Sequence, residues 1–249
     1  MTWINFDWFQ WDAEQRGKGL DTTVKAIYDA AYQQFEKAHS DDLKGAESPD
    51  LDENDRGNYI DFLNEEFRGQ KAALALMTLS LLTKSMVLHF KQITNGLNKQ
   101  FAARGEVKGK SELERIVSEY QQRFGISLEN LAHFATVREI VLARNSVFHG
   151  DGSPSKDYME KTNARFLDEV GQINLTSELL NTSIAELKEF LLALSVALKD
   201  AYRAAKAAAE EKVPGEIGML RVKLAKGRPP ANTDRLQPKR FPSTGGHSH

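Results

Sequence analysis

VREIVLARNSVFHG, residues 137–150, is the segment around which the chain is organised. Its apolar residues recur at helical spacing and predict an inward-facing stripe made of Phe134, Val137, Ile140, Val141, Val147 and Phe148. At about 100° per residue, Arg144 falls in the middle of that stripe. Asn145 and His149 lie at one edge of the same face, within an arc of about 140° that starts at Arg144. Gly150 is typical of the residue that ends a helix, which puts His149 in the last turn.

An arginine among apolar neighbours needs a partner, because arginine is rarely buried without one. In one interpretation, Arg144 pairs with a carboxylate inside the fold and His149 caps the helix. In the other, Arg144, Asn145 and His149 line a cleft or a subunit interface and meet an anionic ligand. The axial rise from Arg144 to His149 is about 7.5 Å, which two long side chains can bridge to reach one phosphodiester group. Spacing alone favours the first interpretation, since structural ion pairs and single histidines are common.

The six residues Arg144-Asn145-Ser146-Val147-Phe148-His149 favour the second interpretation because of a resemblance. They resemble the Arg-polar-x(3)-His motif of the HEPN (higher eukaryotes and prokaryotes nucleotide-binding) superfamily. The helical segment Leu113-Glu114-Arg115-Ile116 and the apolar run over residues 131–143 look like the helices around that motif. The position of the motif late in a helix of an all-helical chain strengthens the resemblance.

The resemblance implies a metal-independent endoribonuclease, often a toxin or a phage-defence effector, with two motifs facing each other across a homodimer. Cleavage of RNA by its own 2′-OH needs a base for that proton, an acid for the leaving 5′-oxygen and a cation beside the phosphate. On this hypothesis one His149 acts as base and the other as acid, Arg144 holds the phosphate oxygens, and Asn145 orients the histidine or the phosphate. The expected partner is RNA, with no cofactor and no metal ion. An antitoxin or a nucleotidyltransferase is a further candidate partner.

A rival hypothesis is a non-catalytic, nucleotide- or partner-binding helical module, since many relatives in this superfamily look non-catalytic. In that case Arg144 holds a phosphate or completes an interface. A third hypothesis is a structural helical protein that assembles through its Trp-rich N-terminus. Degradation of RNA in EDTA, lost in Arg144→Ala, would distinguish the ribonuclease from both.

Composition limits the classes of protein that remain. The chain of 249 residues can hold one large domain or two small ones. It has no cysteine, which excludes disulfides, thiolate chemistry and cysteine-based zinc sites. A net charge of −2 argues against attraction of the whole chain to nucleic acid. No signal peptide is apparent, and the longest uncharged run, residues 72–83, is too short to span a bilayer, so we expect a cytoplasmic protein without a membrane partner.

The periodicity along the chain predicts an all-α fold, a bundle of about five helices with long central helices. We expect an aromatic N-terminal arm over residues 1–20, a HEPN-like helical domain over residues 21–212, and a basic, Pro- and Gly-rich, disordered tail over residues 213–249. Residues 158–181 are ambiguous, with a short helix near 164–169 and a small strand near 171–175. Helices are predicted from a cap at Asp21-Thr22-Thr23 to about His39, over residues 59–95, from Ser111 to Phe124, from a cap at Ser127 onward, and from a cap at Thr182-Ser183 to about Lys212. The most buried side of the helix over residues 59–95 is predicted to follow Leu74, Met77, Leu81, Lys84/Ser85, Leu88 and Ile93.

Four other features of the sequence suggest a function at first, but a structural role explains each of them better. Trp3, Trp8 and Trp11 could stack bases, but such clusters more often dock against the body of a protein. The acidic residues 40–57 match a calcium loop poorly and predict a solvated connector. Residues 108–111, Lys-Gly-Lys-Ser, lack the preceding strand and glycine spacing of a P-loop. His89 is predicted to be a core histidine.

Overall fold

The computed structural model describes residues 6–47, 52–97, 107–150 and 153–211. The predicted tail, residues 213–249, lies outside these ranges, as does Trp3. Within them the chain is a bundle of mostly long helices, which confirms the predicted all-α fold class. The elements are α1 (Phe6–Gly19), a π-helical segment (Leu20–Lys25), α2 (Ala26–Ala46), α3 (Glu53–Leu97), α4 (Glu112–Phe124), a 3-10 turn (Leu128–Asn130), α5 (Phe134–Gly150), α6 (Lys156–Lys161) and α7 (Ser177–Glu211).

The first three elements form one continuous helix. The backbone at Gly19 and at Lys25, the two ends of the π-helical segment, is right-handed helical. The helix cap predicted at residues 21–23 is therefore wrong: the Thr22 hydroxyl donates a hydrogen bond to the Lys18 carbonyl, 2.9 Å away, inside the helix. The helix also continues to Ala46, so the connector predicted over residues 40–57 is much shorter than expected.

α3 has 45 residues and confirms the long helix predicted over residues 59–95. The Asp52 carboxylate accepts a hydrogen bond from the Asp55 N–H, 2.8 Å away, so this aspartate caps the helix. The predicted inward side is partly wrong, because Lys84 is exposed and Met77, Leu81 and Leu88 each expose between 38% and 44% of their surface. The buried residues of the second half are Leu74, Ala75, Thr78, Leu79, Leu82, Met86, His89, Phe90, Ile93, Thr94 and Leu97.

α4 begins and ends as predicted. The Ser111 side chain accepts from the Glu114 N–H, and the Glu114 carboxylate accepts from the Ser111 N–H, which completes a capping box. Gly125 ends the helix with a left-handed φ of 70°. Gly109 has a steric role, since a Cβ there would lie 2.5 Å from the Arg115 backbone nitrogen.

The boundaries of the later helices differ from the predictions. Ser127 precedes the 3-10 turn and makes no side-chain cap, and α5 begins at Phe134. α6 lies upstream of the short helix predicted near 164–169, and the predicted strand reduces to an isolated antiparallel bridge between Leu167 and Ile173. α7 begins at Ser177, before the predicted cap, and the Thr176 hydroxyl accepts from the Leu179 N–H at 3.2 Å.

Aromatic side chains tie the core together. The Phe190 ring of α7 lies 6.0 Å from the Phe90 ring of α3 and 6.0 Å from the Phe134 ring of α5. Tyr120 of α4 contacts Phe90 edge to face. On α7 the buried residues include Leu187, Phe190, Leu191, Leu194 and Leu198, whereas Tyr202, at the same helical spacing, is half-buried.

The N-terminal helix docks on this core. Phe9 and Ala13 are buried, whereas Trp8 and Trp11 are exposed. His89, 3% exposed, is a core histidine as predicted, and its Nδ1 lies 3.0 Å from the Asp12 carboxylate of α1.

The chain divides into two compact units, residues 1–205 and residues 206–249. The first unit holds the helical bundle. In the second, the described residues are 206–211, which form the last part of α7.

Candidate functional site

The candidate site lies at the C-terminal end of α5. The inward face of this helix follows Phe134, Val137, Ile140 and Ala143, with the buried polar residues Thr136, Glu139 and Ser146 beside them. Arg144 and Asn145 are half-buried, and Phe148 and His149 are exposed. The prediction that Arg144 lies in the middle of the buried stripe is therefore wrong. The buried side is centred near Ala143, about 100° around the helix from Arg144.

Phe148 brings Arg144 and His149 together. The Arg144 guanidinium lies over the Phe148 ring, 4.9 Å from its centroid, and the His149 ring meets the same ring edge to face at 4.8 Å. Phe148 exposes 58% of its surface, so this cluster faces solvent. A solvent-facing cation beside an imidazole is suited to contact an anionic ligand.

Asn145 joins the same cluster through its side-chain carbonyl. The Arg144 Nη1 donates a hydrogen bond to Asn145 Oδ1 at 2.9 Å. With that oxygen occupied by Arg144, the Asn145 NH₂ group points its donors elsewhere. The three residues predicted as a site therefore form one contiguous surface, with Phe148 as a fourth member that the sequence analysis assigned to the core.

Arg144 has no carboxylate partner among the described residues. The described residues therefore do not contain the buried ion pair that one interpretation of the sequence assigned to Arg144. Other arginines are compensated: Arg16 by Asp12, Arg138 by Glu129, and Arg165 by Glu139 and Glu186. The positive charge of Arg144 thus remains available to a ligand.

Ser146 anchors the motif to the next segment. It is 2% exposed, and its hydroxyl oxygen accepts a hydrogen bond from the Ser155 N–H at 2.9 Å. The Ser155 hydroxyl in turn accepts from the Tyr158 N–H at the start of α6. These hydrogen bonds fix Ser155 and the start of α6 to the end of α5. The attachment point, Ser146, directly follows Arg144 and Asn145 in the sequence. Sequence reasoning missed this role, because Ser146 stood at a variable position of the motif.

A buried ion network supports α5 from its inward side. Glu139 accepts from the Arg165 N–H and from Arg165 Nε, both at 2.7 Å. Arg165 Nη1 donates to Glu186 of α7, and the Thr136 hydroxyl donates to the same carboxylate at 2.6 Å. Burial opposes ionisation of Glu186, but the hydrogen bonds from Thr136 and Arg165 outweigh it and lower the pKa of Glu186. These groups hold α5 against α7 and the segment between α6 and α7, and the fixed helix carries the candidate site.

In the part of the chain that the structure describes, no three His, Asp or Glu side chains converge closely enough to hold a metal ion.

No family model, curated protein or solved structure matches this chain. The resemblance to the HEPN superfamily thus depends on the motif residues and their helical setting, and it stays a prediction.

Proposed function

We propose that this protein is a metal-independent endoribonuclease of HEPN type, a cytoplasmic toxin or phage-defence effector that acts as a homodimer. One observation carries the proposal: the Arg144 guanidinium, without a carboxylate partner among the described residues, shares the exposed Phe148 ring with His149. A charged donor fork and an imidazole at one exposed helix end are the groups that phosphodiester cleavage requires.

The chemistry follows from what each group can do. A neutral His149 accepts the proton of the ribose 2′-OH, whose oxygen attacks the adjacent phosphorus. The bond to the 5′-oxygen then breaks, and a protonated His149 from the partner subunit donates a proton to that oxygen. Arg144 offers two parallel N–H groups to the phosphate oxygens, where negative charge builds up. The products are a 2′,3′-cyclic phosphate and a 5′-hydroxyl end.

The need for a dimer follows from the number of proton-transfer groups. Among the described residues, each chain supplies one imidazole beside Arg144, whereas the reaction uses a base and an acid. Asn145 accepts from Arg144 and so fixes the guanidinium plane, which leaves the Asn145 amide donors for a phosphate oxygen.

The test is cleavage of a mixed RNA pool in EDTA by the wild type, His149→Ala and Arg144→Ala. His133→Ala is the matched control, because His133 lies at the other end of α5 and pairs with Glu189. We expect cleavage by the wild type and the control, cyclic phosphate ends, and a loss of about 100-fold or more in both site variants. Equal cleavage by His149→Ala and the wild type would overturn the proposal.

A non-catalytic nucleotide-binding module is the second candidate. The observation that favours it is the 58% exposure of Phe148 beside Arg144, since an aromatic face and a guanidinium together bind a base and a phosphate. This candidate predicts that the wild type binds labelled mononucleotides or short RNA without cleaving them. Phe148→Ala would then weaken binding about tenfold, and Phe148→Tyr would retain it.

A further inference from the structure

α3 carries a second apolar face that no described part of the chain covers. Phe62, Met77, Leu81 and Leu88 expose 59%, 43%, 38% and 44% of their surface, although the opposite side of the helix is in the core. A contiguous apolar face on a soluble protein marks an interaction surface more often than an isolated exposed leucine does. The residues of this face, all exposed and named here the α3 stripe, are Tyr59, Phe62, Glu66, Gly69, Ala73, Met77, Leu81, Lys84, Leu88 and Lys91.

The spacing of the α3 stripe is that of a helix-pairing seam. Successive members are three or four residues apart, so they stay on one side of the helix for about nine turns. The pattern is also symmetric about the level of residue 75. Each member on the N-terminal half has a counterpart at the same distance on the C-terminal half. A surface that pairs with its own copy around a two-fold axis requires this symmetry.

Side-chain size is complementary across the symmetric positions. In an antiparallel pair of α3 helices centred at residue 75, Leu81 of one copy lies level with Gly69 of the other, and Met77 lies level with Ala73. Large side chains therefore oppose small ones, which lets the two helices approach closely. Phe62 lies level with Leu88 and extends the apolar contact at both ends.

Charge is complementary as well. Glu66 and Lys84 occupy symmetric positions on the α3 stripe. They are 18 residues apart, and at about 100° per residue this separation is a whole number of helical turns. They therefore lie on the same line of the helix, about 27 Å apart, and cannot pair within one chain. Neither forms an ion pair with another described residue. In the antiparallel pair, each Glu66 directly faces the Lys84 of the other copy.

We infer that the α3 stripe is the contact surface of a homodimer, in which two α3 helices pack antiparallel around a two-fold axis at the level of residue 75. The stripe is about 48 Å long, and a helix is about 12 Å wide, so the pair buries on the order of 1,200 Å² in total. That area lies at the lower limit for a specific protein–protein interface, which predicts a dimer that dissociates on dilution. The inference rests on α3 alone and does not depend on the ribonuclease proposal.

A lipid bilayer is the competing occupant of this face. α3 contains a window of 18 residues that is apolar enough to cross a membrane, and half of that window is buried inside the fold. The α3 stripe carries Glu66 and Lys84 on the same line as its apolar residues. A protein partner can pair those charges, whereas the hydrocarbon of a bilayer cannot.

The test is charge reversal with rescue, measured by sedimentation equilibrium of the full chain at low salt. We expect the wild type to give twice the 28.0 kDa mass of the chain at high concentration. Glu66→Lys and Lys84→Glu each replace two attractive contacts with two repulsive ones, and each should weaken the dimer about tenfold. The double variant restores opposite charges and should return to the wild-type dissociation constant. Glu65→Lys, on α3 beside the stripe, is the matched control and should leave it unchanged.

Three outcomes would overturn the inference. The first is a wild type that stays monomeric at all concentrations, and the second is a dimer that both single variants leave unchanged. The third is co-sedimentation of the wild type with phosphatidylcholine vesicles that is lost in Leu81→Lys. A dimer without ribonuclease activity would leave the inference standing and would overturn only the proposed function.

Discussion

Arg144 and Arg165 both contact residues of α5, but Arg165 is paired with carboxylates and Arg144 is not. Arg165 neutralises Glu139, whose side chain is 3% exposed, whereas Arg144 contacts Asn145 and Phe148 at the surface. Arg165→Ala would leave a buried carboxylate unpaired and should lower the free energy of unfolding by about 3 kcal/mol. Arg144→Ala should change it by less than about 1 kcal/mol. Urea unfolding of both variants checks this prediction, and a larger loss in Arg144→Ala would show that Arg144 has a structural role.

His89 predicts a pH dependence of stability. Burial lowers the pKa of His89, the cation Arg16 acts in the same direction, and the Asp12 carboxylate offsets part of the effect. The unfolded chain takes up the proton near pH 6.5, roughly the ordinary value, and the folded protein takes it up at lower pH. The contribution of His89 is therefore fully present above about pH 6.5 and is lost as the pH falls through the lower pKa of the folded state.

The measurement is the free energy of unfolding from about pH 7.5 to about pH 5.5, a range that brackets the ordinary histidine pKa. We expect the wild type to lose stability across this range. His89→Gln should be less stable at the upper end but should show a flatter profile. If the free energy of unfolding fell equally steeply with pH in both proteins, the pH dependence would not come from His89.

At this scale the sequence indicated which residues matter but not what they contact. The sequence placed Arg144, Asn145 and His149 near one another at one helix end, and it predicted that His89 is buried. The partner of Glu139 was not, because Arg165 lies 26 residues further along the chain. The inward position of Thr136, Glu139 and Ser146 could not be predicted either. Polar residues are buried only when other groups form hydrogen bonds with them, and these partners are distant in the sequence.

Among the elements, α4 is the helix whose ends the sequence specifies most fully. Ser111, Glu114 and Gly125 are local signals, and each makes the contact that its position predicts. Hydrogen bonds from the Lys110 and Ser111 N–H groups lower the pKa of Glu114, which agrees with its role as an ionised cap.

This cap gives a prediction for the element. Ser111→Ala removes the acceptor for the Glu114 N–H and should lower the free energy of unfolding by about 1 kcal/mol. Ser111→Asp keeps an acceptor at the same place and should retain stability near the wild-type value. Chemical denaturation of both variants gives the comparison. Equal losses in the two would mean that the hydroxyl acts through something other than the cap.

The long helices were easier to find than to orient. The length of α3 was predictable because no proline interrupts it, but its inward side was not, since Met77, Leu81 and Leu88 form an apolar stripe as regular as the buried one. On α5, Val141, Val147 and Phe148 outweighed Ala143 and Ser146 in hydrophobicity, so the predicted face was rotated away from the true one. A periodic pattern identifies an inward side only when the other side is polar.

For the whole molecule, the α3 stripe predicts that thermal stability depends on protein concentration. Association stabilises the folded state by mass action, so a tenfold increase in concentration should raise Tm by about 2 °C. Leu81→Lys should abolish this dependence, whereas Leu192→Lys, an exposed position on α7, should retain it. Differential scanning calorimetry at two concentrations checks this. A Tm that does not vary with the concentration of the wild type would contradict the predicted association.

The π-helical segment between α1 and α2 makes the chain tolerant of a change in length at one place. A π-helical turn holds one residue more than an α-helical turn, so residues 20–25 contain a surplus residue. Loss of one residue there lets the helix wind as an uninterrupted α-helix while Phe9 and Tyr28 keep their inward directions. The same deletion in the middle of α3 would rotate everything beyond it by about 100°. Natural variants of this chain that differ by one residue in the first helix should therefore differ at this segment.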